Sequence, residues 1–189
     1  MFAAIIEVFL IGVSLSMDAL AISITNGMTL KDFRCKHALL MGLYFGGFQF
    51  LMPLLGAFLA GTVSSYVSAC GHYISFTLLA VIGVKMIVDA VKGGDEAGML
   101  KLSHGRLLVM AVATSIDALA VGVSFAFTLK GISLIPACAI IGCTTFTISF
   151  LGSVLGSRLP GLSGKRAGIL GGVVLVAIGI KLLVEGLAK

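Results

Sequence analysis

Ser16-Met17-Asp18-Ala19-Leu20-Ala21 and Ser115-Ile116-Asp117-Ala118-Leu119-Ala120 are near-copies of one another, one in each half of the chain. Each sets a carboxylate in the middle of a long apolar run. An ionised acid at the centre of a bilayer costs at least about 2.5 kcal/mol, so an acid kept there points to a functional site. Two matched acids also mean that the chain repeats, and the repeat decides the fold.

The setting of both stretches is a membrane protein. Of 189 residues, 59% are hydrophobic and 11% charged, and the mean hydropathy is +1.16, outside the balance of soluble domains. At about 20 apolar residues per helix, the length holds about six spans and no sizeable soluble domain. They are expected near residues 2–24, 37–61, 72–91, 107–129, 132–155 and 166–187. Asn26-Gly27 is expected to end the first. The uncharged stretch 64–71 is expected to separate the second from the third, and a polar loop opens at Lys92-Gly93-Gly94-Asp95-Glu96. No basic n-region precedes the first apolar run, which reads as a retained span rather than a signal peptide.

The repeat extends beyond the two acids. Ile82-Gly83-Val84-Lys85-Met86-Ile87-Val88-Asp89-Ala90 matches Ile178-Gly179-Ile180-Lys181-Leu182-Leu183-Val184-Glu185-Gly186. Gly46 and Gly56 align with Gly142 and Gly152, and Gln49 and Pro53 with Thr145 and Ser149. Three spans per copy make the second copy enter from the opposite side. The expected fold is therefore an all-α membrane protein of six transmembrane helices, arranged as two inverted three-helix repeats. Residues 1–91 form the first repeat, 92–106 a cytoplasmic loop and 107–189 the second repeat. Secondary transporters share this architecture and bind their substrates near the midplane, between the repeats.

Charge placement orients the chain. Lys31, Arg34, Lys36, Lys92, Lys101, Arg106, Arg158, Lys165 and Arg166 fall on one side, against Lys130 and Lys189 on the other. The positive-inside rule makes the first side cytoplasmic and puts both termini outside. No basic cluster is interleaved with aromatics, so the net charge of +5 does not point to nucleic acid. Cys35, Cys70, Cys138 and Cys143 form no CxxC pair, which argues against a disulfide frame or a thiolate metal site.

Asp18 and Asp117 fall near mid-depth, with no basic residue at helical i±3 or i±4 spacing. Ser14 and Thr114 lie one turn before them, Ser16 and Ser115 two residues before, and Ser23 and Ser124 further on; Asn26 and Gln49 add amide oxygens. Carboxylates and hydroxyls together suit a hard divalent cation. The alternative is that each Asp is protonated and holds helices together by hydrogen bonding. Pro53 frees a carbonyl near Gln49, which either adds an oxygen ligand or only kinks the helix. The glycines, Gly46 and Gly142 among them, serve close helix packing or a hinge. Lys85 with Asp89 and Lys181 with Glu185 are i,i+4 pairs, read as ion pairs within their own helices. Glu7 is a solvated helix end or an exit-side group, and His37, His72 and His104 lack metal spacing. No nucleotide-binding motif is present, which excludes ATP hydrolysis by this chain.

Ser16-Met17-Asp18-Ala19, Ser23-Ile24 and Asn26-Gly27, taken with Ala113-Thr114-Ser115-Ile116-Asp117-Ala118-Leu119-Ala120-Val121-Gly122, resemble the MntP-type manganese efflux pumps. That family belongs with the LysE-like exporters, and the resemblance covers essentially the whole chain. It implies export of Mn²⁺ across the bacterial inner membrane, with Asp18 and Asp117 as the central, metal-binding acids and Gly27 and Gly122 supporting the pathway. Mn²⁺ is then cargo rather than cofactor, and the chain is not an enzyme. Proton antiport is the natural coupling, because protonating two carboxylates weakens a cation site. Two rivals keep the acids but change their use. A LysE-like exporter of an amino acid or other small solute needs a mid-depth cation for the substrate carboxylate, and none is evident unpaired. An intramembrane aspartyl protease needs two acids sharing a proton, and the chain has no Gly-x-Gly-Asp motif. A purely structural membrane protein does not account for the duplicated acids.

Overall fold

A computed structural model of the chain describes residues 2–30, 33–92, 103–129, 131–158 and 164–187. Five α-helices follow in order: α1 (Phe2–Thr29), α2 (Cys35–Lys92), α3 (His104–Thr128), α4 (Leu134–Ser157) and α5 (Gly164–Leu187). Helices are the expected answer of an apolar chain, because lipid offers no partner for a backbone N–H or C=O and the helix satisfies both internally. Between α3 and α4 the chain turns at Gly131, whose φ of 81° is open to glycine at no steric cost.

Among the described residues, four segments are long and apolar enough to cross a membrane: Phe2–Thr29, Cys35–Ala60, His104–Phe127 and Leu134–Ser157, with a shorter apolar stretch over Gly172–Lys181. The expected separation of the second and third spans at 64–71 is corrected, since α2 runs through it without a break. The stretch contains no proline, and isolated glycines at positions 61 and 71 cost only about 1 kcal/mol each relative to alanine. The element nevertheless turns back on itself: Gly83 faces Gly172 and Leu175, and Leu175 clusters with Met41 and Phe45, which a straight helix would hold about 57 Å from Gly83. α2 therefore holds the length of both expected spans in one element. The first span also runs further than expected: Asn26-Gly27 lies inside α1.

The helices pair across the two halves of the sequence. α1 packs chiefly on α4, and α2 on α3, α4 and α5, whereas α1 and α2 barely touch. Glycines make the crossings close. Gly46 faces Gly142, Gly56 abuts the Leu119 carbonyl, and Gly122 abuts the Pro53 carbonyl. Gly152 faces Leu20 and Ile24, Gly156 abuts the Ile24 carbonyl, and Gly83 faces Gly172. Gly27 stays inside α1 because the backbone of α4 at Ser153 passes directly against it.

Two apolar clusters fill the space between crossings. Ile22, Met41, Phe45, Met110, Leu175 and Ile178 join α1, α2, α3 and α5, while Val8, Leu15, Phe125 and Ile141 join α1, α3 and α4. Large apolar side chains such as Phe58, Phe127 and Ile135 point outward, as they do where the solvent is lipid. The Tyr44 hydroxyl and His104 Nδ1 are 3.0 Å apart, so the start of α3 lies beside the third turn of α2.

Candidate functional site

Asp18 is carried by α1 at a buried position, only 8% exposed. Its Oδ1 lies 3.3 Å from Nζ of Lys181 on α5. Beyond the expected i,i+4 partnership of Lys181 with Glu185, whose side chain lies outside the described residues, the lysine reaches across to another helix. The contact also means that a basic side chain does come to the first acid, supplied by tertiary packing where local sequence spacing offers none. The side chains of Glu185, Lys85 and Asp89 lie outside the described residues, and so does that of His72.

Asp117, on α3, is partly buried, and its Oδ1 accepts the backbone N–H of Ala118 at 2.9 Å. It lies within electrostatic reach of both Asp18 and Lys181. The two repeated acids and one ammonium thus occupy one neighbourhood of the bundle, although they come from α1, α3 and α5.

The hydroxyls expected around the acids divide into three groups. Ser16, Thr114 and Ser115 are buried and donate to their own helices, to the carbonyls of Val13 at 2.8 Å, Met110 at 3.0 Å and Ala111 at 2.6 Å. A hydroxyl bonded this way has spent its proton and keeps oxygen lone pairs. Ser14 and Ser124 are exposed, so neither is enclosed with the acids. Ser23 is fully buried, and its Oγ has no partner among the described residues.

Gln49 crosses from α2 to α1, where its Nε2 donates to the Leu15 carbonyl at 3.1 Å. That bond leaves its Oε1 buried and without a partner among the described residues, in company with Ser23 Oγ, Thr145 Oγ1 and Ser149 Oγ. A buried polar atom without a partner costs about 1–3 kcal/mol, and native proteins hold few of them. Four such oxygens on α1, α2 and α4 form an unsatisfied set, and Thr145 is the repeat counterpart of Gln49. Thr145 and Ser149 were not among the expected site residues. The signal for them was the alignment of the two copies, in which they stand opposite Gln49 and Pro53.

Asn26 is buried and donates Nδ2 to Sδ of Met110 at 3.5 Å, which ties α1 to α3. Gly27, Gly122, Gly46 and Gly142 all lie at helix crossings, where a Cβ would meet Ser153, Pro53, the Gly142–Phe146 backbone and Phe50 respectively. Glu7 is exposed near the start of α1. His37 accepts the Arg34 backbone N–H at 3.1 Å. Among the described residues no three His, Cys, Asp or Glu side chains gather. A cation held here would rest on two carboxylates completed by neutral oxygens.

A helical, multi-pass membrane protein with acids and unsatisfied oxygens inside its bundle is the class that these features define. The chain belongs to the Mntp family, described as "Putative manganese efflux pump", which it matches over residues 32–183. Relatives that carry the same description with the designation MntP include one from Methanosarcina mazei, 46% identical over 94% of this chain and 94% of the relative. One from Clostridium botulinum strain Hall is 47% identical over 96% of this chain and 94% of its own length. A third, from Desulfitobacterium hafniense, is 43% identical over 96% and 95%. No solved structure matches the chain.

Proposed function

We propose that the chain is a secondary transporter that exports Mn²⁺ from the cytoplasm through a mid-membrane site built on Asp18 and Asp117. The observation that carries this reading is that two repeat-related acids lie within electrostatic reach of one another in a bundle that also buries four oxygens without a partner among the described residues. Two carboxylates cancel the charge of one Mn²⁺, so the loaded site crosses the low-dielectric core without net charge. Neutral oxygens complete an oxygen shell of the kind a hard divalent ion prefers. Ser16, Thr114 and Ser115 supply lone pairs, while Ser23, Gln49, Thr145 and Ser149 are the further candidates. The family's description supports Mn²⁺ as the cargo.

Alternating access rests on the two inverted repeats. The crossings support that arrangement because they recur under the repeat correspondence. Gly56 against Leu119 and Val123 corresponds to Gly152 against Leu20 and Ile24, and Gly46 against Gly142 is its own counterpart. Contacts that map onto themselves when the copies are exchanged are what a two-fold axis in the membrane plane produces. In this reading Mn²⁺ enters between the repeats from the basic, cytoplasmic side, to which Arg34 and Arg106 belong, and both termini face outward. Rocking of one repeat on the other then opens the site outward across the inner membrane.

Proton antiport resets the site. Protonation from outside weakens the carboxylates' hold on the ion and releases it, and the empty site returns with less negative charge than two ionised acids would carry. Inverted membrane vesicles test the coupling: Mn²⁺ uptake is expected to rise several-fold when the interior is acidified. Uptake that ignores the imposed gradient rules out antiport, and absence of uptake above vesicles lacking the protein rules out Mn²⁺ transport.

A further inference from the structure

We propose that Lys181 is a tethered stand-in for the cargo: its ammonium neutralises Asp18 while the site holds no metal, and incoming Mn²⁺ displaces it. This rests on the reading of Asp18 as a cargo ligand. It goes beyond that reading in assigning a cargo-competing role to a residue of the last helix.

Geometry comes first. Lys181 Nζ lies 3.3 Å from Asp18 Oδ1, on an oxygen that a metal ion would use. The two residues belong to α5 and α1, far apart in sequence, so the contact is made by the fold and not by helical spacing. The lysine side chain is about half exposed, at 53%, whereas Asp18 is 10% exposed. The acid is therefore fixed inside the bundle, while the ammonium sits on a flexible four-carbon stem at its open side, able to swing away.

Charge arithmetic gives the contact its meaning. Two ionised acids without a cation would leave two negative charges in a medium where single charges are expensive. Lys181 offsets one of them. If Lys181 stayed in place when Mn²⁺ arrived, the site would carry an excess positive charge; if it leaves, the loaded site is neutral. Metal and ammonium thus exclude each other by charge as well as by space. A competitor attached to the protein weakens ion binding and speeds release, and it spares the empty transporter the cost of an uncompensated acid during its return.

A merely structural ion pair makes the opposite forecast, since removing the lysine leaves the buried Asp18 charge uncompensated, which destabilises the fold and degrades everything that depends on it. Full-length protein in lipid vesicles separates the two. Lys181→Gln is expected to bind Mn²⁺ at least fivefold more tightly than wild type while its outward flux falls at least threefold. Lys181→Arg, which keeps the charge, is expected to stay within twofold of wild type in both. Lys181→Gln that binds Mn²⁺ no more tightly than wild type overturns the proposal. A measurement on the unmodified protein covers the case in which that variant does not fold. Saturating Mn²⁺ is expected to raise the rate of Lys181 labelling by an amine-reactive reagent at least threefold, read by mass spectrometry, and an unchanged or lower rate overturns the proposal. Wild-type protein that binds no Mn²⁺ at all removes the cargo assignment and this inference with it. Wild-type binding that is abolished by Asp18→Asn yet unimproved by Lys181→Gln removes this inference alone.

Discussion

Gln49, Ser23, Thr145 and Ser149 each bury an oxygen without a hydrogen-bond partner among the described residues. At the scale of single residues this sets stability against function. Replacing Thr145 by Val or Ser149 by Ala removes an orphaned hydroxyl with little change of shape. The folded state is expected to gain up to about 1 kcal/mol or stay level, because no bond is lost and a desolvation cost disappears. Transport should move the other way. A lost oxygen ligand worth about 1 kcal/mol lowers Mn²⁺ affinity about fivefold. Thermal unfolding in detergent and metal binding on the same samples check both signs. The placement of Asp18 and Asp117 inside the bundle was legible in the sequence because each sits in the middle of a long apolar run. The reach of Lys181 to Asp18 was missed because i,i+4 spacing on one helix is visible in a string of letters, and a contact from α5 to α1 is not.

Helices α1 and α4, and α2 and α3, are held together by glycines set against the facing backbone. At this scale the packing makes a contrast between two substitutions. At Gly122 a methyl group would collide with the Pro53 carbonyl, whereas at Gly47 nothing lies within 4 Å. Gly122→Ala is expected to destabilise the bundle by about 1–3 kcal/mol, the range for overpacking. Gly47→Ala is expected to gain about 0.5–1 kcal/mol from helix propensity alone. Melting temperatures of the two variants check the contrast, and equal shifts would show that the crossing at Pro53 is not tight. Glycine pairing between the copies was readable from their alignment, although which helices the glycines join was not. The break expected at 64–71 failed for a local reason: its serines, valine and alanine are all tolerated in a helix, and low charge alone does not stop one. Asn26-Gly27 failed for a tertiary one, because that glycine serves the approach of α4 rather than the end of α1.

Across the whole molecule, each half of the chain leaves its first two helices nearly apart and packs them on the other half. Among the described residues both apolar clusters draw on helices of the two halves, so the halves are packed as one unit. Such interleaving suits a transporter, because the acids of the two copies come within electrostatic reach only when both copies are in place. Composition and the duplicated Ser-x-Asp-Ala stretches were enough to place the chain in a membrane and to mark the acids. The exchange of helices between halves needed the structure, since nothing in a repeat states which copy its helices pack against. The most direct test of the central claim is the internal manganese of cells under manganese load, expressing wild type, Asp18→Asn or Asp117→Asn at equal membrane levels. Wild type is expected to hold internal Mn²⁺ several-fold below cells lacking the protein, and each Asn variant to match those cells. Equal internal Mn²⁺ in wild type and both variants would contradict the account.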